Sequence, residues 1–137
     1  MKKLDFSKPR YFNNRELSWL AFNDRVLEEA RDKNNPLLER VRFLGITQSN
    51  LDEFFNIRVA SLKKMVTVNY DKPDAAGMKP QEQLDAISKT AHEMVEKQYN
   101  TLVRSLIPKL NAVDIQLLHA KAVSYTHLRA HETKANL

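Results

Sequence analysis

The sequence predicts an all-α fold, a helical bundle of about four helices in which the third and fourth form a long antiparallel αα-hairpin. Glycine occurs only at Gly45 and Gly77 in 137 residues, and this scarcity suits helices better than sheets. Apolar residues recur every three or four positions over most of the chain, which is the spacing of one helix face. Residues 69–80, with two prolines and Gly77, form the loop between the two helices of the hairpin.

The first two helices are predicted over residues 15–33 and 36–44. Pro9 opposes regular helix before the first of them, and Pro36 suits the first position of the second. Gly45 is a good stop for the second helix. The residues predicted to face the core are Leu17, Leu20, Ala21, Leu27 and Ala30 in the first helix, and Leu37, Leu38, Val41 and Leu44 in the second.

The third and fourth helices are predicted over residues 50–67 and 81–111. Asn50 is a suitable N-cap for the third helix, because its side chain can accept from the first backbone N–H groups while Glu53 reaches back. Pro108 is a place where the fourth helix could end early. The predicted buried positions are Phe54, Ile57, Ala60 or Ser61, and Met65 in the third helix, and Leu84, Ile87, Ala91, Met94, Gln98, Leu102 and Leu106 in the fourth.

The end of the chain, AVSYTHLRAHETKANL, continues no apolar stripe. It resembles the translation of sequencing-adapter DNA, so we expect one native helical domain over residues 1–121 and a non-native or disordered tail over 122–137. His127 and His131 lie four residues apart in this tail, a spacing that would present two imidazoles to one metal ion on a helix. A third ligand is lacking, and we predict no metal site.

Composition limits the function classes. The chain has no cysteine, which excludes a disulfide framework and fits a reducing compartment. No apolar run approaches the roughly 18 residues of a membrane span, and no secretory signal is apparent, so we expect a cytoplasmic protein. The net charge is +5, but acidic and basic residues alternate as on a solvated helix face. We therefore predict no nucleic-acid binding, while a phosphate-rich ligand stays open beside a purely solvated surface.

Motifs of autonomous phosphoryl transfer are absent from the sequence: it has no Walker-type loop and no GxGxxG. We assign no catalytic residue. Arg15 and Arg58 could each fork onto a phosphate, although pairing with a carboxylate is the interpretation we favour. The aromatic residues could stack on an adenine, but their helical spacing favours the core; they are Trp19, Phe22, Phe43, Phe54 and Phe55. Adjacent Phe54 and Phe55 cannot both face the same way on a helix.

Residues 11–64 carry the strongest signal, in the order YFNNRELSWLAFNDRVLEEARDKNNPLLERVRFLGITQSNLDEFFNIRVASLKK. This block resembles the N-terminal domain of bacterial polyphosphate kinase, and the resemblance continues more loosely to Leu118. It implies a parent enzyme that reversibly transfers the terminal phosphate of ATP to polyphosphate through a phosphorylated histidine, with Mg²⁺. In that family the histidine and the polyphosphate channel lie further along the chain. We therefore expect this chain alone to be inactive, and its partners to be the remaining domains, within a homo-oligomer.

Asn50 is the site residue that the resemblance selects. In the family, the asparagine of the SNLDEF motif is taken as an ATP contact, with this domain covering the adenine side of the nucleotide. Here the motif reads SNLDEFF over residues 49–55. A structural role for Asn50, as a helix N-cap only, is the alternative. For the chain as a whole, the alternative is a free-standing helical protein–protein interaction module without catalysis.

Overall fold

The computed structural model describes residues 5–118. Within that range the chain is helical and no strand is formed. No helix there is both long enough and apolar enough to span a bilayer. The elements in chain order are a 3₁₀ turn (Pro9–Tyr11), α1 (Arg15–Arg31), α2 (Leu37–Phe54), a first π turn (Phe55–Val59), α3 (Ala60–Thr67), α4 (Pro80–Thr101), a second π turn (Leu102–Leu106) and α5 (Ile107–Asn111). The predicted tail 122–137, with His127 and His131, lies outside the described residues.

The π turns join their neighbouring α-helices without interruption, so the described chain forms three continuous helical stretches, over residues 15–31, 37–67 and 80–111. The prediction of four helices with a hairpin between the third and fourth is not confirmed. Residues predicted as the third helix belong instead to the second stretch, whose α3 portion contacts α4. The extents of the first helix, the loop and the last helix agree with the prediction to within two residues.

The break predicted between residues 44 and 50 is wrong, because α2 passes through Gly45 and Asn50 without interruption. A glycine inside a helix costs about 1 kcal/mol relative to alanine. That amount is small beside the burial of Leu51 and Phe54 further along the same helix. Asn50 is therefore an interior residue of α2, and its predicted role as an N-cap is wrong.

The start of α1 is fixed by a cap that also holds the loop. The Asn14 side-chain oxygen accepts from the Leu17 backbone N–H at 2.9 Å, and Asn14 Nδ2 donates to Asp74 Oδ2 at 2.7 Å. Further along the loop, Lys79 Nζ donates to Asp71 Oδ2 at 2.8 Å, and this hydrogen bond raises the pKa of Lys79. The loop between α3 and α4 is thus tied to the start of α1 through Asp74 and bridged internally by the Asp71–Lys79 pair.

The core forms where the three helical stretches meet. Its buried apolar members are Leu20, Leu27, Ala30, Leu51, Phe54, Val59, Leu62, Ile87 and Met94. The stripes predicted for the first and last helices largely face this core. The stripe predicted for residues 36–44 does so only at Leu44, which is partly buried against the core; Leu37, Leu38 and Val41 are not among the core residues, and Arg40 and Thr47 are buried on this helix instead. Since α2 continues past Gly45, its buried face is set by Leu51 and Phe54.

The first π turn explains why the prediction for residues 57–65 failed. A π turn adds a residue to a helical turn, so the buried face passes from Phe54 to Val59 and then to Leu62. Ile57 and Met65, predicted as core, are 55% and 40% exposed. The extra residue rotates them out of the core and onto the side of the helix that faces α1.

The second π turn precedes Pro108, which lies inside the helical stretch and does not end it. Proline has no N–H, and its ring crowds the carbonyl four residues earlier. That carbonyl belongs to Arg104, within the π turn Leu102–Leu106. Widening the helix at this point accommodates the proline, and the stretch continues through α5 to Asn111.

Candidate functional site

Asn50 lies in a groove of about 580 Å³ between α1 and the segment of residues 50–65. We call this the Asn50 groove. The α1 side contributes two charged and two aromatic side chains, and the opposite side contributes polar, acidic, basic and apolar ones. Its lining residues are Arg15, Glu16, Trp19, Phe22, Asn50, Glu53, Phe54, Ile57, Arg58, Ser61, Leu62 and Met65.

A buried asparagine on α1 sets the orientation of Asn50. Asn23 is fully buried, and its Nδ2 donates to the Thr47 carbonyl at 3.1 Å and contacts Met94 Sδ at 3.5 Å. Its Oδ1 can only accept, and it accepts from Asn50 Nδ2 at 2.9 Å. The hydrogen bonds of Asn23 therefore require Asn50 to turn its amide nitrogen toward the core.

This arrangement leaves the side-chain oxygen of Asn50 available. Among residues 5–118, Asn50 Oδ1 has no hydrogen-bond partner, and the residue is partly exposed in the groove. A side-chain carbonyl accepts from N–H or O–H donors. The groove thus offers a positioned acceptor to a ligand with an N–H group. The backbone amides near Asn50 offer nothing comparable, because the residue lies within a helix instead of at its start.

The aromatic residues divide between core and groove. Trp19 stacks on Phe54 with ring centroids 4.6 Å apart and planes at 10°, and Phe54 is buried. Phe55 meets Phe54 edge-on at 5.8 Å and is exposed, which confirms that these two neighbours face different ways. Phe43 packs against the core. Phe22 is 57% exposed and lines the groove, so it is the aromatic ring available to a ligand.

The two arginines of the groove differ in their partners. Arg58 Nη1 lies 3.8 Å from Glu16 Oε1, which confirms carboxylate pairing for Arg58, with a partner on α1. An ion pair of this length at a partly exposed position contributes about 0–1 kcal/mol. Arg15 has no carboxylate partner among residues 5–118, so the carboxylate pairing favoured for it is not found there.

Two features of the groove were not foreseen from the sequence. The first is the π turn, which places Ile57 and Arg58 on the groove wall; π turns inside helices are frequent at functional sites. The second is Asn23. Its signal was available, because positions 20, 23, 27 and 30 are spaced as one helix face and Asn23 is the polar member among apolar residues.

No catalytic or metal-binding set accompanies the groove. Within residues 5–118 no three His, Cys, Asp or Glu side chains come close enough together to hold a metal ion. His92, the histidine in this range, is exposed, and its Nδ1 lies 2.7 Å from the Ser88 carbonyl oxygen. The groove itself is lined by two carboxylates and two arginines but by no histidine of the described residues.

The family model described as the polyphosphate kinase N-terminal domain matches residues 12–118. The polyphosphate kinase of Lactiplantibacillus plantarum is 66% identical over 115 residues, which are 84% of this chain and 16% of that protein. The polyphosphate kinase of Halalkalibacterium halodurans is 52% identical over 116 residues, which are 84% of this chain and 16% of that protein. The polyphosphate kinase of Staphylococcus haemolyticus is 62% identical over 96 residues, which are 69% of this chain and 13% of that protein.

The chain therefore spans about 16% of the length of the first two of these relatives. No solved structure matches it significantly. The family match covers α1 to α5 and includes Asn23, Asn50 and the first π turn. With most of its length matched by the family model and by several relatives at more than half identity, this chain belongs to the polyphosphate kinase N-terminal domain family.

Proposed function

We propose that the chain acts as the amino-terminal domain of a polyphosphate kinase, an enzyme that reversibly transfers the terminal phosphate of ATP to polyphosphate, and that the Asn50 groove binds the adenine side of ATP. The observation that carries this proposal is the fixed orientation of Asn50. Its nitrogen is held by Asn23 at 2.9 Å, and its oxygen is left without a partner among residues 5–118. The free acceptor and the family resemblance both support a role for this side chain in ligand binding.

The groove has the chemistry that an adenosine needs. The exocyclic amine of adenine is a donor, and Asn50 Oδ1 is an acceptor. Phe22 presents an exposed ring, and Ile57 is an exposed apolar residue of the same groove, so together they can cover the faces of a base. Arg15, without a carboxylate partner among the described residues, can fork onto oxygens of the nucleotide.

In this proposal the domain contributes binding and orientation, and the chemistry belongs to later domains. The parent reaction uses Mg²⁺ and a phosphorylated histidine, by family resemblance. The groove holds two carboxylates, Glu16 and Glu53, and Glu16 is engaged by Arg58. These residues do not fit a Mg²⁺ site of their own, so we assign the metal to the remaining domains. The exposed Phe55 and Val103 are available for contact with those domains or with a second subunit.

The test is a chimeric enzyme. Residues 12–118 of this chain replace the matching segment of the Lactiplantibacillus plantarum polyphosphate kinase, to which the chain is 66% identical. We expect the chimera to retain ATP:polyphosphate phosphotransferase activity. A folded chimera of normal oligomeric state without activity would favour the free-standing interaction module instead.

Asn50→Ala in the chimera then tests the nucleotide contact. We expect the KM for ATP to rise by about tenfold for each ~1.4 kcal/mol of binding lost. The substitution also leaves Asn23 Oδ1 without its donor, which costs stability of about 1–3 kcal/mol. Gln83→Met is the matched control: Gln83 is buried outside the groove and donates to the Met78 carbonyl at 2.9 Å, so its loss lowers stability alone. An unchanged KM for ATP in a folded Asn50→Ala chimera would refute the contact.

A further inference from the structure

A buried arginine lies at the other end of α2. Arg40 is 2% exposed. Its Nε donates to the Ala30 carbonyl at 2.9 Å and its Nη2 to Ser105 Oγ at 3.0 Å. Within residues 5–118 no carboxylate forms an ion pair with it. Buried charges in proteins are normally paired, so Arg40 stands out from the other buried side chains of this domain.

The neighbouring elements compensate the charge only in part. Ala30 lies in the last turn of α1, where the exposed carbonyls carry about half a negative charge. Ser105 contributes a neutral hydroxyl oxygen. The guanidinium has five N–H donors, and two of the bonds they can make are accounted for by these partners. Positive charge and donor capacity therefore remain at the end of the Arg40 side chain.

That end of the side chain faces a pocket. The pocket has a volume of about 310 Å³ and is lined by Arg31, Arg40, Lys97, Asn100, Thr101 and Ser105. Since Arg40 bonds Ser105 and both residues line the pocket, the guanidinium lies at its base. We call this the Arg40 pocket. No acidic side chain lines it.

The remaining lining groups are donors with suitable positions. Arg31 is paired with Glu28 at 2.7 Å and Lys97 with Asp24 at 2.9 Å, so these two cations are already neutralised and Arg40 supplies the net charge. Ser105 Oγ accepts from Arg40, which leaves its own O–H to donate elsewhere. Asn100 adds an amide N–H₂. The pocket thus presents N–H and O–H donors from α2, α4 and the second π turn.

We propose that the Arg40 pocket binds a phosphate group. A guanidinium matches two oxygens of a tetrahedral oxyanion, and the donors of Ser105 and Asn100 can reach the others, whereas a carboxylate offers only two oxygens. The pocket is distinct from the Asn50 groove. Ten residues of one helix separate Arg40 from Asn50, or about 15 Å along the axis. The proposal does not depend on ATP binding at Asn50.

The experiment is an NMR titration of the chain with inorganic phosphate, with sodium chloride and sodium acetate at matched ionic strength. We expect the backbone amides of Thr101 and Ser105 to shift and saturate with phosphate, while chloride gives no saturation and acetate binds more weakly. Asn100→Ala combined with Ser105→Ala should weaken phosphate binding by about tenfold or more, since each removes a donor to the anion. Arg42→Gln is the control, because Arg42 is an exposed cation of the same helix outside the pocket.

Three results would overturn the proposal. One is a linear, non-saturating response to phosphate, which would make Arg40 a structural link between α1 and the second π turn. The second is saturation by acetate at the same concentration as phosphate, which would indicate a site for a protein carboxylate. The third is equal phosphate affinity in the wild type and the double variant, provided that the variant keeps the wild-type spectrum elsewhere.

Discussion

Asn23 connects the hydrophobic core to the Asn50 groove. Burying an amide without hydrogen bonds costs folding free energy. The Asn23 side chain avoids this cost through contacts with the helical stretch 37–67, by way of the Thr47 carbonyl and Asn50 Nδ2, and with the stretch 80–111, by way of Met94 Sδ. Because these partners come from α2 and α4, correct packing of the helices is required to orient Asn50. The acceptor in the groove is therefore a property of the folded domain and would be lost with the packing.

Among residues 5–118, Gln98 is a buried polar residue whose side chain lacks hydrogen-bond partners. It is 6% exposed, and neither its Nε2 nor its Oε1 has a hydrogen-bond partner. Gln83 is buried to the same extent but donates to the Met78 carbonyl at 2.9 Å. The two residues form a matched pair on α4, with equal burial and different hydrogen bonding.

Replacement of each glutamine by methionine should change stability in opposite directions. Gln98→Met removes two unsatisfied polar atoms at similar volume, and we expect the free energy of unfolding to rise by about 1–2 kcal/mol. Gln83→Met removes one of the two hydrogen bonds that the Met78 carbonyl accepts, the other coming from the Asp74 backbone N–H at 3.0 Å, and should lower the free energy of unfolding by about 0.5–1.5 kcal/mol. Urea unfolding followed by circular dichroism measures both. A loss of stability in Gln98→Met equal to that in Gln83→Met would mean that Gln98 is satisfied in solution.

At the scale of elements, α2 is where local sequence signals were misleading. Gly45 and Asn50 are typical of a helix stop and a helix start, yet one helix contains both. Gly45 has room for a side chain, since a Cβ there would meet no atom within 4 Å. Gly77 is different: its φ is +84°, and a Cβ would lie 3.2 Å from Pro9 Cβ. Gly45 thus has a helical backbone that tolerates a side chain, whereas Gly77 has a left-handed backbone that favours glycine.

Alanine substitution distinguishes the continuous helix from the predicted break. If α2 continues through position 45, Gly45→Ala should stabilise the domain by about 0.5–1 kcal/mol. Gly77→Ala should destabilise it by more than about 1 kcal/mol, because a left-handed residue with a Cβ is strained. Thermal unfolding of the two variants is the measurement. A lower melting temperature in Gly45→Ala would indicate that the chain turns at Gly45, as in a helix stop.

Sequence patterns predicted the elements whose apolar stripes are unbroken. The first helix and the last were placed to within two residues, and Ile87, Ala91 and Met94 face the core as expected. The buried face after Phe54 could not be predicted from the three- and four-residue spacing of an α-helix, because the π turn inserts an extra residue into that spacing. The same turn moved Ile57 and Met65 onto the wall of the Asn50 groove. The family resemblance selected Asn50 as a candidate site residue. The sequence did not predict that Asn23 orients its side chain, because that contact depends on how α1 packs against α2.

At the scale of the whole molecule, two candidate binding sites lie at opposite ends of α2. The Asn50 groove contains aromatic, apolar and charged side chains, whereas the Arg40 pocket is lined by polar and basic ones. Both lie within the residues that match the family. Among residues 5–118, no histidine lines either of them.

We therefore predict that the chain alone does not elongate polyphosphate. Phosphoryl transfer depends almost entirely on positioning the reacting groups and stabilising the charge that develops between them, and the family resemblance implies a phosphorylated histidine in a later part of the parent enzyme. Within residues 5–118 the candidate is His92, which is exposed and engages the Ser88 carbonyl at 2.7 Å. Incubation of the chain with Mg²⁺, ATP and a polyphosphate primer should give no chain growth above a buffer blank. The chimeric enzyme, assayed in parallel, serves as the positive control. Turnover that copurifies with the chain and disappears in His92→Ala would place a catalytic nucleophile in this domain and overturn the division of labour proposed for it.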